Sequence, residues 1–354
     1  MLADALPDDF GNSLIDAWMV TEGIARKDIT ALDRLAYMGK RGMGALEFRP
    51  ARGPRARTTT AIEFSTLVES ARRALHGGFD SDTHADAALK QIIQVGTSAG
   101  GARAKATIAW NPETQEMRAD LSPSEPGFEH WMLKFDGIGN DRELGSTQGY
   151  GRIEYAYSQM ARSAGLEMAE CRLLEENGRA HFMTRRFDRS GDEKHHLQSL
   201  CALNHLDYKQ KATHDYSQYL QTTLDLGLDH DALEEAFRRI AFNVMARNCD
   251  DHTKNLAYLL PKGGTWRLAP AYDVTFAYNP SGEWTYQHLM SVNGKFLEVT
   301  REDLLELADR FGIGAASRIC KSVNEAVAAW PDFARKAGIL ESDTRRIGSK
   351  HTLL

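Results

Sequence analysis

The feature that most constrains this 354-residue chain is a change in the period of its apolar residues part-way along. Over 91–95, 104–110 and 131–135 they fall in short β-type runs cut by Gly, Pro and Ser, as strands of a small sheet do. From 152 to 164, Ile153, Ala156, Tyr157, Met160 and Ala164 share one helical face, and Gly165 stands ready to end the helix. Residues 179–187 read as one more strand. Beyond them the pattern is mostly helical, broken by an expected hairpin of 255–260 and 265–269 around Lys262-Gly263-Gly264. The pattern predicts an α+β chain with a small sheet-bearing first lobe over 1–186 and a mostly helical second lobe over 187–354.

Ahead of the sheet, Leu14, Ile15 and Trp18 have helical spacing, and the cluster Gly39, Gly42 and Gly44 predicts a turn leading to a short strand. Residues 49–57 hold two prolines and four arginines and form a loop, more often solvated than bound to DNA phosphates. Ile62, Leu67, Ala71 and Leu75 predict a further helix. Charged residues make up 26% of the chain and hydrophobic ones 42%, the balance of a folded globular protein. The net charge of −6 argues against wrapping nucleic acid with the whole surface. Cys171, Cys201, Cys249 and Cys320 share no CxxC spacing, so they read as thiols of a reducing compartment and not as a zinc site. No run of about 18 apolar residues occurs, and the acidic start lacks the basic end of a secretory signal; the expected location is the cytoplasm, with no membrane contact.

Three stretches could carry chemistry. In Asn248-Cys-Asp-Asp-His-Thr-Lys-Asn255, Asp250 and Asn255 stand five positions apart (255 − 250), the separation of catalytic aspartate and metal-binding asparagine in a kinase catalytic loop. Such a loop can aim one carboxylate at a hydroxyl and turn an amide oxygen toward Mg²⁺. The hairpin then returns the chain so that Asp273 can approach the same metal. Taken alone, an Asp-Asp-His loop is more often a solvated turn. The second stretch, 95–105, is a glycine-rich turn whose backbone N–H groups could bind phosphate, or an ordinary hairpin turn; it matches neither G-x-G-x-x-G nor a Walker A sequence. In the third, Lys134 lies between Leu133 and Phe135, where it must reach solvent or an anion, and Glu154 opens the next helix. They are either a phosphate-orienting pair of the kinase type or an edge-strand lysine beside a helix-start acid.

Taken together, Thr97-Ser-Ala-Gly-Gly-Ala-Arg-Ala-Lys105, Met183-Thr-Arg-Arg-Phe-Asp-Arg189, the 248–255 loop and Leu268-Ala-Pro-Ala-Tyr-Asp273 resemble the HipA family of bacterial serine/threonine kinases, toxins of type II toxin–antitoxin modules. The resemblance covers nearly the whole chain and implies a HipA-like, protein-kinase-like fold. It makes Asp250 the catalytic base, Asn255 and Asp273 the Mg²⁺ ligands, and His252 and Lys254 their companions near the phosphates of ATP. It gives Lys134 the ATP phosphates with Glu154 as helix partner, and makes Gly100, Gly101, Ala102 and Lys105 part of the phosphate loop. The 185–187 strand end, with Phe187, becomes the hinge beside adenine. Ser98, or Thr97 beside it, corresponds to the autophosphorylated residue; either hydroxyl could instead cap the turn.

The family further implies a HipB-like DNA-binding antitoxin, DNA contact only through that complex, and a translation component such as an aminoacyl-tRNA synthetase as target. The start resembles the middle of the family's N-terminal region. That leaves two expectations: a split, three-component module whose missing subdomain is a separate small protein, or a truncated start. Arg185 stands where the family more often has an acid. His288 follows Asp273 in a family-like stretch and reads as site architecture without a defined role. Rival readings are a small-molecule kinase of the aminoglycoside-phosphotransferase type and a non-catalytic antitoxin- and DNA-binding module.

Overall fold

The computed structural model describes residues 2–7, 9–53, 67, 68, 71, 103–120, 125–138, 140, 141, 145, 146 and 148–354. The expected strand at 91–95, most of the expected helix over 62–75, and Thr97, Ser98, Gly100, Gly101 and Ala102 lie outside the described residues. Leu67, Val68 and Ala71 are helical and buried. The chain divides into two compact units. One comprises residues 1–141, 146–151 and 171–197; the other comprises 142–145, 152–170 and 198–354.

The first unit opens with helices α1 (Asp9–Thr21) and α2 (Ala31–Met38). Thr30 and Asp33 start α2 with reciprocal side-chain-to-backbone bonds, which satisfy two of the donors that a helix start leaves unpaired. The expected strand after α2 is absent. Gly39 and Gly44 take positive φ, and the Gly44 N–H goes to the Asp188 carboxylate at 2.7 Å, so the segment is held by a side chain instead of a ladder. The sheet comprises β1 (Lys105–Trp110), β2 (Met117–Ala119), β3 (Glu129–Lys134), β4 (Cys171–Glu176) and β5 (Arg179–Arg185). Its order is β2-β1-β3-β5-β4, and every neighbouring pair is antiparallel. Ile108, Trp110, Trp131, Leu133 and Met183 pack with Phe10, Leu14, Tyr37 and Leu67 into one core.

Beneath the sheet's end lies a buried ionic network. The Arg186 guanidinium bonds Asp188 at 3.0 and 2.8 Å and Asp120, while Arg189 reaches Asp188 at 2.7 Å and the Gly42 and Gly44 carbonyls at 3.0 Å. Burial alone would raise the Asp188 pKa, but the two guanidiniums outweigh it and hold the carboxyl well below its usual range.

The second unit is mostly helical: α3 (Tyr150–Ser163), α4 (Tyr216–Asp225), α5 (His230–Met245), the hairpin β6 (Ala257–Leu260) and β7 (Arg267–Leu268), then α6 (Arg301–Arg310), α7 (Ala316–Ala328), α8 (Trp330–Lys336) and α9 (Glu341–Gly348). The hairpin is shorter than the sequence spacing suggests because Asn255 belongs to a single 3₁₀ turn, Thr253–Asn255. The second half of helix α5 is buried nearly all round, and Leu233, Phe237, Ile240, Phe242 and Met245 lie inside the core. Tyr157 of α3 anchors the same core through its hydroxyl, which donates to the Ala246 carbonyl at 2.7 Å. Among the described residues, no helix is long and apolar enough to cross a membrane.

Candidate functional site

The candidate catalytic loop starts where α5 stops. Arg247 takes φ 54°, and the Asn248 N–H returns to the Asn243 carbonyl at 3.0 Å, while Arg247 N–H returns to Val244. This is a Schellman ending with arginine in the left-handed position usually given to glycine. The backbone next pairs with the segment that follows Asp273. Cys249 N–H donates to the Ala277 carbonyl at 3.1 Å, and Ala277 N–H donates to the Arg247 carbonyl at 3.1 Å. On its other side, the Asp273 segment is tied down by Ala271 N–H, which donates to Glu167 at 2.8 Å. The 248–255 loop and the Asp273 segment are thus joined by backbone bonds. Asp273 itself sits at φ 52°, a left-handed conformation that Asp tolerates better than most residues.

Within the loop the two aspartates part company. The Asp250 side chain is 51% exposed, whereas Asp251 is 1% exposed. Asn255 donates its Nδ2 to the Asp250 carbonyl at 2.8 Å, which leaves its amide oxygen as the end that can meet a hard cation. His252 Nε2 lies 3.8 Å from an Asp250 carboxylate oxygen. The Tyr208 ring lies tilted against the His252 ring, centroids 5.2 Å apart, and Lys254 Nζ lies 5.0 Å from the Tyr208 ring; Tyr272 donates its hydroxyl to the Lys254 carbonyl at 2.6 Å. Asp250, His252, Lys254 and Asn255 therefore form one connected set. Among the described residues no group of three or more His, Cys, Asp or Glu is placed to hold a metal ion. The expected pair, one amide oxygen and one carboxylate, is an oxygen-only set of the kind Mg²⁺ takes when a nucleotide supplies further ligands.

Asp251 was inside the motif, but nothing in the sequence gave it a role. Its Oδ1 accepts from the Leu289 N–H at 2.7 Å, and its Oδ2 accepts from the Tyr216 hydroxyl at 2.7 Å and bonds His288 Nδ1 at 2.8 Å. Asn243 Nδ2 donates to the Tyr216 oxygen at 3.0 Å, and Asn248 Nδ2 donates to Asn243 Oδ1 at 2.9 Å. Burial opposes a charged His288, but Cys249 and Asp251 outweigh it and push the imidazole up to about 10. These partners come from elements far apart in sequence, so no local spacing could announce them.

In the first unit, Lys105 and Lys134 stand directly opposite each other at the matching ends of β1 and β3. Lys105 is buried, and Lys134 Nζ lies 5.8 Å from the Phe182 ring. The 179–187 strand stops at Arg185, whose guanidinium faces Glu129 at 3.3 Å; Arg186 N–H still donates to the His130 carbonyl, and Phe187 lies half-buried in the turn beyond. Glu154 is buried on α3, in the other unit.

This architecture is that of an α+β, kinase-like protein. The profile of the HipA-like C-terminal domain matches residues 97–330, well over half of the chain, and the chain belongs to that family. Over nearly its whole length it is similar in structure to HipA of Shewanella oneidensis MR-1, solved as a toxin–antitoxin complex of HipA, HipB and operator DNA. The TM-score is 0.69 at 15% identity, covering 98% of this chain and 81% of that one. In sequence it is 26% identical to the protein named "Putative kinase Y4dM" from Sinorhizobium fredii, across 50% of this chain and 51% of that protein. The chain thus matches about half the length of that curated relative.

Proposed function

We propose that the chain is a Mg²⁺- and ATP-dependent serine/threonine protein kinase and the toxin of a bacterial toxin–antitoxin module. The observation that carries this reading is the loop in which Asn255 bonds the Asp250 carbonyl, while the Asp250 carboxylate stays half exposed and the Asp273 segment is stitched alongside. In this reading Asp250 orients the acceptor hydroxyl and takes its proton. The Asn255 amide oxygen and the Asp273 carboxylate hold the metal. Lys105 and Lys134 take up phosphate charge, and Gly100, Gly101 and Ala102 are assigned to ATP binding with them. Lys134 and Glu154 serve ATP binding, Phe187 borders adenine, and His252 and Lys254 lie near the transferred group. Mg·ATP supplies a γ-phosphoryl group whose charge the metal spreads; the protein's task is placement and charge complementarity.

Kinship with a HipA solved beside HipB and operator DNA supports a HipB-like antitoxin as partner, with DNA reached through that complex. Ser98, or Thr97, is the proposed autophosphorylation site; two further negative charges on a phosphate-binding turn would oppose nucleotide binding. We assign residues 1–186 and 187–354 to the two kinase lobes, and a translation component such as an aminoacyl-tRNA synthetase to the target.

The test is labelled-ATP transfer in a bacterial lysate, comparing wild type with Asp250→Gln. One or a few proteins should take label from wild type only. Equal labelling by both would remove Asp250 from the reaction. Label appearing in a small molecule instead of protein would favour the small-molecule kinase.

A further inference from the structure

Asp250 has buried residues on both sides, Cys249 and Asp251, each with a partner on the same imidazole. His288 Nδ1 bonds Asp251 Oδ2 at 2.8 Å, and His288 Nε2 lies 3.8 Å from Cys249 Sγ. One side chain, 2% exposed, therefore grips the side chains of the residues immediately before and immediately after the proposed catalytic carboxylate.

The segment that carries this histidine is itself fixed. His288 N–H donates to the Phe296 carbonyl at 3.0 Å, Met290 and Ser291 pair in parallel with His214 and Asp215, and Ser291 Oγ donates to Asp215 at 2.5 Å. The adjacent Leu289 N–H supplies another bond to Asp251, at 2.7 Å. On the far side Tyr216, the first residue of α4, completes the carboxylate's bonding. Thiol, imidazole and carboxylate stand in the sequence used for nucleophilic catalysis, but Cys249 has no exposed surface, so the thiol cannot meet a substrate there. The arrangement suits a static task.

We propose that His288 is a positioning residue for phosphoryl transfer, clamping Cys249 and Asp251 so that the exposed Asp250 carboxylate projects from a fixed backbone. This rests on the kinase reading given above and adds to it a residue 38 positions beyond Asp250 in sequence (288 − 250). A displacement of about 1 Å in a group that must align with a hydroxyl costs on the order of 10²-fold in rate. Substrate affinity, set by other residues, is left alone.

The experiment compares wild type, His288→Ala, His288→Asn and Asp251→Asn. Autophosphorylation rate at saturating Mg·ATP is measured against Mg·ATP affinity by calorimetry, with near-UV circular dichroism confirming the fold. His288→Ala should lose about 100-fold in rate while its nucleotide affinity stays within about threefold of wild type. His288→Asn keeps an N–H toward Asp251 and should recover to within about tenfold of wild type. Asp251→Asn is nearly isosteric, sets an amide against a donor, and should lose rate as His288→Ala does.

A folded His288→Ala or Asp251→Asn at wild-type rate would overturn the proposal. So would rate and affinity falling together, or His288→Asn being as slow as His288→Ala. If His288→Ala does not fold, the contrast between His288→Asn and Asp251→Asn decides. A wild type that transfers no phosphate overturns the kinase reading and this one with it, whereas an active wild type beside an active His288→Ala sinks the clamp alone.

Discussion

Asp273 shows how much one residue can be asked to do. Its left-handed φ of 52° costs an ordinary L-residue about 1–2 kcal/mol, and the backbone bonds of Ala271 and Ala277 on either side hold it there. Asp273→Gly should therefore fold at least as stably as wild type, because glycine suits that φ, yet bind Mg·ATP on the order of tenfold more weakly. Calorimetry with and without Mg²⁺ checks this; unchanged affinity would remove Asp273 from the metal site.

The buried histidines make a second prediction. His288 is raised above its usual 6.5 to about 10, so the stability its charge contributes is present in full below pH 6.5 and lost as pH climbs toward 10. The groups facing it are Asp251, Cys249 and, across the carboxylate, Tyr216, whose own pKa burial and Asp251 push far up. His181 and His351 behave oppositely. Burial, then Arg179 and Arg247 respectively, lower them to about 4, so their contribution is lost as pH falls from 6.5 to 4. Urea denaturation should show stability falling on both limbs, and His288→Asn should flatten the alkaline one. An alkaline limb identical in wild type and variant would contradict the assignment.

At the scale of elements, what could be read in advance was what is local. The spacing of Ile153, Tyr157 and Met160 marks α3, alternation and glycines mark β1 and β3, and Asp250 to Asn255 is a motif contained in one loop. The end of α5 was illegible because Arg247 occupies the position where glycine would have signalled a stop. The strand expected after the first glycine cluster failed for a related reason: its backbone partner is the Asp188 side chain, 144 residues away.

The Asp120–Arg186–Asp188–Arg189 network was likewise hidden. Its parts are scattered in sequence: Asp120 lies 66 positions from Arg186. Asp188→Ala leaves two buried guanidiniums short of a partner and should destabilise the protein by about 3–5 kcal/mol. Tryptophan-monitored denaturation checks this, since Trp110 and Trp131 lie in the same unit's core; a loss under about 1 kcal/mol would mean the network is dispensable. Thr300→Ala, at the reciprocal cap of α6, should cost only about 1 kcal/mol in the same assay.

For the whole molecule, the proposed site residues follow the secondary structure of the units that carry them. An antiparallel sheet carries the paired lysines, and a helical unit built around α5 carries the loop with Asp250, Asn255 and Asp273. The α+β class and the kinase-like character were legible because period and motif agree. The network of His288, Tyr216 and Asn243 around Asp251 was not, because it exists only once α4, α5 and the 288–291 segment have packed. The most direct measurement is single-turnover transfer from γ-labelled ATP by the purified protein, followed by phosphoamino-acid analysis, for wild type and Asp250→Asn. Wild type should give Mg²⁺-dependent phosphoserine or phosphothreonine, and Asp250→Asn should bind ATP yet give none. Label transferred equally by both proteins, or by neither, would contradict the account.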